Sequence, residues 1–449
     1  MSQKPYPKYK DSGVEWLGEI PIDWSTFPLW NLFKRTKRLG NGKEELLSVY
    51  RDYGVVPKSS RNDNFNKASE DLSKYQIVEI GDLVINKMKA WQGSVAVSEH
   101  NGIVSPAYFV FRALGKADSR FIHFLMRSTP YFQHYASISA GVRPNQWDLD
   151  PVRHRKMPVL FPSLSEQRYI AAYLDRETAE IDAFIADQEE LIALLSERRT
   201  ATITQAVTKG LDPKSRMKDS NVSNLGLIPA PWAVTGLKHF TLKITDGAHI
   251  SPETDGGIYD FVSTRDVSDS GINFEGSLKT SPETYEYMVR TGCRPQNGDV
   301  LFSKDGTVGR TVVVQGNHDF VVASSLIIIR PDLSKLDPNF LNYLCRSAFV
   351  QEQVRSFVKG AGLPRLSIAN LLRVTGVFPP LNEQQEIVDY LDRETTEIDA
   401  AIADAREAIA LSKERRAAVI SAAVTGKIDV RGLVAPATSN VEAESVGIA

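Results

Sequence analysis

Two stretches of the chain carry the same period of less polar positions. Leu174, Thr178, Ile181, Ile185, Gln188, Ile192, Leu195, Arg199, Thr202 and Ala206 recur in alternating steps of four and three residues, and Leu391, Thr395, Ile398, Ile402, Ala405, Ile409, Ser412, Arg416, Val419 and Ala423 repeat the row. Such spacing predicts a helix with a heptad seam. The repeat is wider than the seam, since 32 of the 52 positions from Phe161 to Asp212 match Phe378 to Asp429 without a gap, at a constant offset of 217. Each helix is expected to open after Pro162 or Pro379-Pro380, with Ser165 or Asn382 as N-cap and a capping box between Asn382 and Gln385. Gly210 and Gly426 are the expected C-terminal stops. About 43 residues at about 1.5 Å each give a rod of about 64 Å. One such helix would normally be a solvated face over a core. Two matched copies argue for pairing through the seam, with Leu174, Ile181, Ile185, Ile192, Leu195, Leu391, Ile398, Ile402, Ile409 and Val419 as its apolar members.

The pattern between the helices changes to short β-branched or aromatic runs bounded by Gly and Asp, among them GDLVINK, AYFVFRA, GDVLFSK and SLIIIRP. These have the composition and length of strands. FIHFLMRSTPYFQHYAS and FLNYLCRSAFVQEQVRSFV read as short amphipathic helices. A lead-in is also echoed, Asp11 to Trp24 against Asp219 to Trp232. The expected fold class is mixed α/β (α+β), with two pseudo-symmetric domains joined by two long helices. By segment, we expect a first domain with lead-in over 1–158, a long helix over 159–212, a linker and second domain over 213–376, a distal helix over 377–430 and a tail over 431–449. About 20 residues join the first helix to the second domain and reach at most about 70 Å. A parallel helix pair would consume nearly all of that, so an antiparallel coiled coil is predicted, with the variable domains at opposite ends.

The formal charge of -2 conceals a division. Residues 165–200 and 382–417 each carry -5, residues 1–158 carry +7, and residues 232–376 balance 15 cations against 15 anions. The first domain therefore has the basic balance that a polyanion partner requires. No apolar run approaches the roughly 18 residues of a membrane helix, and the N-terminus lacks a signal-peptide stretch. Two cysteines suit neither a disulfide framework nor a thiolate zinc site. A cytoplasmic protein without membrane association is the expectation.

The sequence carries few signs of catalysis. Gly40-Asn41-Gly42-Lys43 lacks the spacing of a phosphate loop, Gly360-Ala361-Gly362 lacks a dinucleotide-fold context, and the seven histidines show no metal-ligand spacing. Phe378-Pro379-Pro380-Leu381 sits at a helix entry and reads as structural, and scattered acids such as Asp299 and Asp305 do not make a nuclease core, since Gly-Asp pairs more often mark strand-entry turns. The side chains suited to DNA are clearer. They are Lys34, Arg35, Lys37 and Arg38, then Lys87, Lys89 and Gln92, then Arg143, Asn145 and Gln146 in the first domain, and Lys304, Thr307, Arg310, Lys359 and Arg365 in the second. Arg, Lys, Asn and Gln match base edges in the major groove, while Lys-rich stretches hold phosphates. Solvent exposure alone is the competing reading of each loop.

The plan of two variable domains, each followed by a helix opening with P-x-L-x-E-Q, closely resembles the specificity (S) subunit of Type I restriction-modification systems. Those openings are Pro162-Ser163-Leu164-Ser165-Glu166-Gln167 and Pro379-Pro380-Leu381-Asn382-Glu383-Gln384, followed by Y-L-D-R-E-T and E-R-R. The lead-in from Trp16 to Trp24 and its echo from Asn224 to Trp232 are likewise similar to family openings. The resemblance implies two target recognition domains, each reading one half of a bipartite, gapped sequence in double-stranded DNA. It implies helices that space the halves and dock two modification methyltransferase (M) subunits, with restriction (R) subunits added for cleavage. No cofactor is implied for this chain; S-adenosylmethionine, ATP and Mg belong to the partner subunits. Two other classes stay open: a coiled-coil scaffold without DNA readout, and a single-chain methyltransferase or nuclease.

Overall fold

The computed structural model describes residues 4–51, 53–61, 69, 71–143, 146–269, 271–358 and 364–433. They form two compact units, Met1–Gln188 with Glu407–Ala449, and Glu189–Arg406. The first unit thus takes both ends of the chain, a division that segment boundaries along the sequence do not follow.

In the first unit an antiparallel sheet runs in the order Phe33–Thr36, Tyr108–Ala113, Leu83–Asn86, Val95–Val97. Alternate residues serve two cores. Leu83, Ile85, Val95, Phe109 and Phe111 join one cluster, and Val84, Ala96 and Val110 join another with Leu47, Val49 and Val55. The second unit repeats the order with Thr241–Asp246, Leu326–Pro331, Val300–Ser303 and Thr311–Val313. It also contains a three-stranded sheet in which Tyr259–Val262 pairs parallel with Phe320–Val322. Mixed helices and sheets in each unit match the expected fold class.

Each short helix expected after the sheet is two helices. The first unit has Ser119–Met126 and Thr129–Ser137, and the second has Pro338–Arg346 and Ala348–Phe357. The break in the second unit follows from Ser347, whose hydroxyl caps the second helix at Val350 N and donates to the Leu344 carbonyl. Asp118 and Asp337 cap the helices that precede the breaks.

The repeated segments form continuous helices, Leu164–Lys209 and Leu381–Val424. They begin earlier than the capping pattern predicts. The Ser163 hydroxyl, rather than Ser165, accepts from Glu166 N at 3.3 Å, and Gln384 N already donates to the Pro380 carbonyl, which places Asn382 inside the helix. The motif glutamines explain the shift. Gln167 is fully buried, donates from Nε2 to the Pro162 carbonyl at 2.9 Å, and accepts from Asp118 N at 2.8 Å. Gln384 makes the same bonds to Pro379 and Asp337, at 2.9 and 2.8 Å. The side chain thereby ties each helix opening to the cap of a domain helix. Gly210 and Gly426 end the helices in the left-handed region, at φ 76° and 72°.

Each lead-in is a hairpin followed by a buried tryptophan, Tyr9–Asp11 with Glu19–Pro21 before Trp24, and Met217–Asp219 with Leu227–Pro229 before Trp232. Trp232 joins Ile203, Ala206 and Val207 at the end of the first long helix. Trp24 joins Val419, Ile420 and Ala423 at the end of the second. A Cβ on Gly426 would overlap Pro21, and the Gly426 carbonyl accepts from the Tyr9 hydroxyl at 2.9 Å.

Within the first unit Arg176 reaches the Leu433 carbonyl while Asp182, farther along, holds Arg416 at 2.8 and 3.1 Å, so the paired segments run antiparallel. In the second unit Arg199 holds Asp399 at 2.9 and 3.1 Å. Asp399 is the repeat of Asp182 and Arg416 the repeat of Arg199, so one ion pair is made once in each unit with its partners exchanged. Leu174, Ile181, Leu391, Ile398, Ile402 and Val419 are buried, and Ile185, Ile192, Leu195 and Ile409 are half-buried, while residues such as Glu180 and Glu190 are exposed. Among the described residues no helix is long and apolar enough to cross a membrane.

Candidate nucleic-acid interface

In the first unit the basic strand lies at a sheet edge. Lys34 stands opposite Arg112 and Arg35 opposite Phe111, with the Arg35 guanidinium 4.2 Å from the Phe109 ring centre. Lys34, Arg35 and Lys37 are exposed. Arg38 is half-buried and engaged by Glu79 at 2.7 Å and Asp82 at 3.2 Å, so it braces the Gly81-Asp82 turn rather than projecting as a cation. Burial raises the Asp82 pKa above the ordinary carboxylate value despite that guanidinium.

The loop after Leu83–Asn86 is a built platform. Lys87 is half-buried and its carbonyl accepts from Leu149 N at 2.9 Å, which joins the loop to the hairpin Ser139–Arg143 with Gln146–Leu149. The Trp91 and Trp147 rings meet at 4.8 Å between centres. Gly93 sits at φ 88°, and a Cβ there would press on Phe132 at 2.7 Å. This fixes exposed Lys89 and Gln92 beside the hairpin. Arg143 and Gln146 face each other in the hairpin register, and Asn145 lies outside the described residues.

The second unit treats the corresponding positions differently. Thr36 and Thr245 occupy equivalent edge positions, opposite Val110 and Ile328. The next residue is Lys37 in one unit and Asp246 in the other. Lys304, the counterpart of Lys87, is buried and donates to Asp246 Oδ2 at 2.6 Å, and His249 Nε2 meets the same oxygen at 2.7 Å. Burial pushes the Asp246 carboxyl up, but the bonds from Lys304 and His249 outweigh it and hold its pKa below the ordinary value. Lys304 is therefore corrected from a solvent-facing DNA contact to a buried support, because its ammonium is consumed by a carboxylate. Arg310 donates to the Val267 carbonyl at 2.8 Å and is likewise half-buried. Arg365 is exposed and pairs with Asp305 at 3.0 Å, and Thr307 is exposed on the same Lys304–Arg310 turn. Lys359 lies outside the described residues.

Sequence reading missed His249 because it looked for metal-ligand spacing. The available signal was D-G-A-H immediately after a strand, where a short turn can return the imidazole to the carboxylate. Among the described residues no group of three or more His, Cys, Asp or Glu side chains is arranged to hold a metal ion.

Comparison with known proteins converges on one family. Residues 241–405 match the Type I restriction modification DNA specificity domain. The chain is 23% identical over 84% of its length to the Type I restriction enzyme StySPI specificity subunit of Salmonella potsdam, covering 83% of that protein. It is 21% identical over 92% of its length to the EcoKI specificity subunit of Escherichia coli K12, covering 90%. A chain solved in work on complex assembly and conformational transition of the type I R-M system shares the fold, with a TM-score of 0.67 at 17% identity, over 91% of this chain and 99% of that one. The twice-used sheet, the paired P-x-L-x-E-Q helix openings and these matches together make the chain similar to the Type I restriction-modification specificity subunits, with the family's DNA specificity domain matched over residues 241–405.

Proposed function

We propose that the chain is the non-catalytic DNA-reading component of a methyltransferase and endonuclease complex. Each domain reads one half of a bipartite target, and the paired helices set the unread spacing and dock two modification subunits. The observation that carries this reading is the double use of one sheet order with different side chains on its edge strand and adjoining loops: Lys34, Arg35, Lys37, Lys89 and Gln92 in one unit, and His249, Thr307 and Arg365 in the other. A duplicated sheet order furnished with different polar side chains suits two readings of one polymer. S-adenosylmethionine, ATP and Mg serve partner modification and restriction subunits, in the cytoplasm where the DNA is.

Exchange of residues 233–376 for the corresponding segment of another specificity subunit tests the assignment. In cells supplying the modification subunit, the methylated motif should change in one half and keep the other. A motif changed in both halves, or in neither, would contradict it.

A further inference from the structure

The turn that carries His249 is held more firmly than an exposed loop requires. Ala248 donates from its backbone N to the Val322 carbonyl at 2.9 Å and accepts at its own carbonyl from Ser324 N at 2.9 Å, while Gly247 N donates to the Leu326 carbonyl at 3.0 Å. A Cβ on Gly247 would overlap the carbonyl oxygens of Val322 and Ala323, so the backbone lies directly on the neighbouring strand. The side chain itself is 62% exposed, and its Nε2 is committed to Asp246, which Lys304 fixes from behind. Nδ1 has no hydrogen-bond partner among the described residues. A carboxylate partner selects the tautomer with the proton on Nε2, which leaves Nδ1 as an outward acceptor.

From this geometry we infer that His249 is a base-reading residue of the second domain, accepting at Nδ1 from the exocyclic amine of an adenine or a cytosine in the major groove. The inference rests on the DNA-reading function proposed above. Asp246 and Lys304 act as positioning residues, because the carboxylate holds the ring at Nε2 and the buried ammonium holds the carboxylate. The chemistry suits a base amine better than a phosphate, since a phosphate oxygen offers no proton to an acceptor nitrogen. It also gives the charge-neutral domain a way to discriminate bases without an exposed cation at the position where the first domain carries Lys37.

The test uses the full chain assembled with its modification subunit. Genomic methylation is mapped in cells carrying the wild-type protein, His249→Ala or His249→Phe, and binding is then measured on duplexes altered one base pair at a time across the mapped motif. His249→Ala and His249→Phe should reduce discrimination at one position of one half-site by about tenfold, leaving the other half-site and the gap intact. Thermal melting checks that both variants fold, as an exposed position should allow. Unchanged discrimination at every position would overturn the role of His249 while leaving DNA reading in place. Equal loss at all positions in folded variants would also overturn it, assigning the residue to general affinity. Absence of any methylated motif in wild-type cells would defeat the DNA-reading proposal, and this inference with it.

Discussion

Gln167 and Gln384 show how much one side chain organises. Each is buried, and each bridges a proline carbonyl at a helix opening to the backbone N of a capping aspartate. Replacing Gln384 by Ala leaves the Asp337 N and the Pro379 carbonyl without that partner, which should lower stability by about 1–3 kcal/mol; a fall in the melting midpoint of the second unit checks it. The motif was visible in the sequence, but its purpose was not, because the partner at Asp118 or Asp337 lies far off along the chain. His123 and His154 are a second residue-scale case. Burial depresses both pKa values to about 3, below the usual 6.5, with nearby Arg127 adding to the effect at His123. Both histidines are neutral in the fold and take up protons on unfolding, so their contribution is fully present above about pH 6.5. It is lost as pH falls towards 3. Acid titration should therefore weaken the first unit through this window, and His154→Phe should flatten the dependence in a pH series of melting curves.

At the scale of elements, the helices were legible because a heptad period is sustained over many turns and occurs twice, with an exact offset tying the copies together. Their starting residues were misread because capping propensity favoured Ser165 and Asn382, whereas the buried glutamines set the start from the tertiary side. The short helices were merged for a related reason, since only the fold shows Ser347 turning its hydroxyl to a cap. The exposed pair Asp182–Arg416 should contribute little stability, about 0–1 kcal/mol. Its repetition as Asp399–Arg199 makes it a marker of register. Adding four residues between Ile181 and Leu195 should change the unread spacing of the methylated motif and leave both half-site sequences alone. Altered half-sites would refute the assignment of spacing to the helices.

For the molecule as a whole, the basic first domain and neutral second domain correspond to two ways of furnishing the same sheet end. Lys37 and Lys87 stand where Asp246 and Lys304 neutralise one another. Composition revealed the imbalance but not its cause, because only the fold brings Lys304 onto Asp246, 58 residues away. The joining of both chain ends in the first unit was equally hidden, since the Asp429 N to Lys4 carbonyl bond of 2.8 Å leaves no local signal. The central claim is that one duplicated scaffold reads two half-sites. Its most direct test is a genome-wide map of methylated adenines in cells carrying this chain and its modification subunit. The account predicts an asymmetric motif of two short specified halves separated by unread base pairs; a single continuous motif would contradict it.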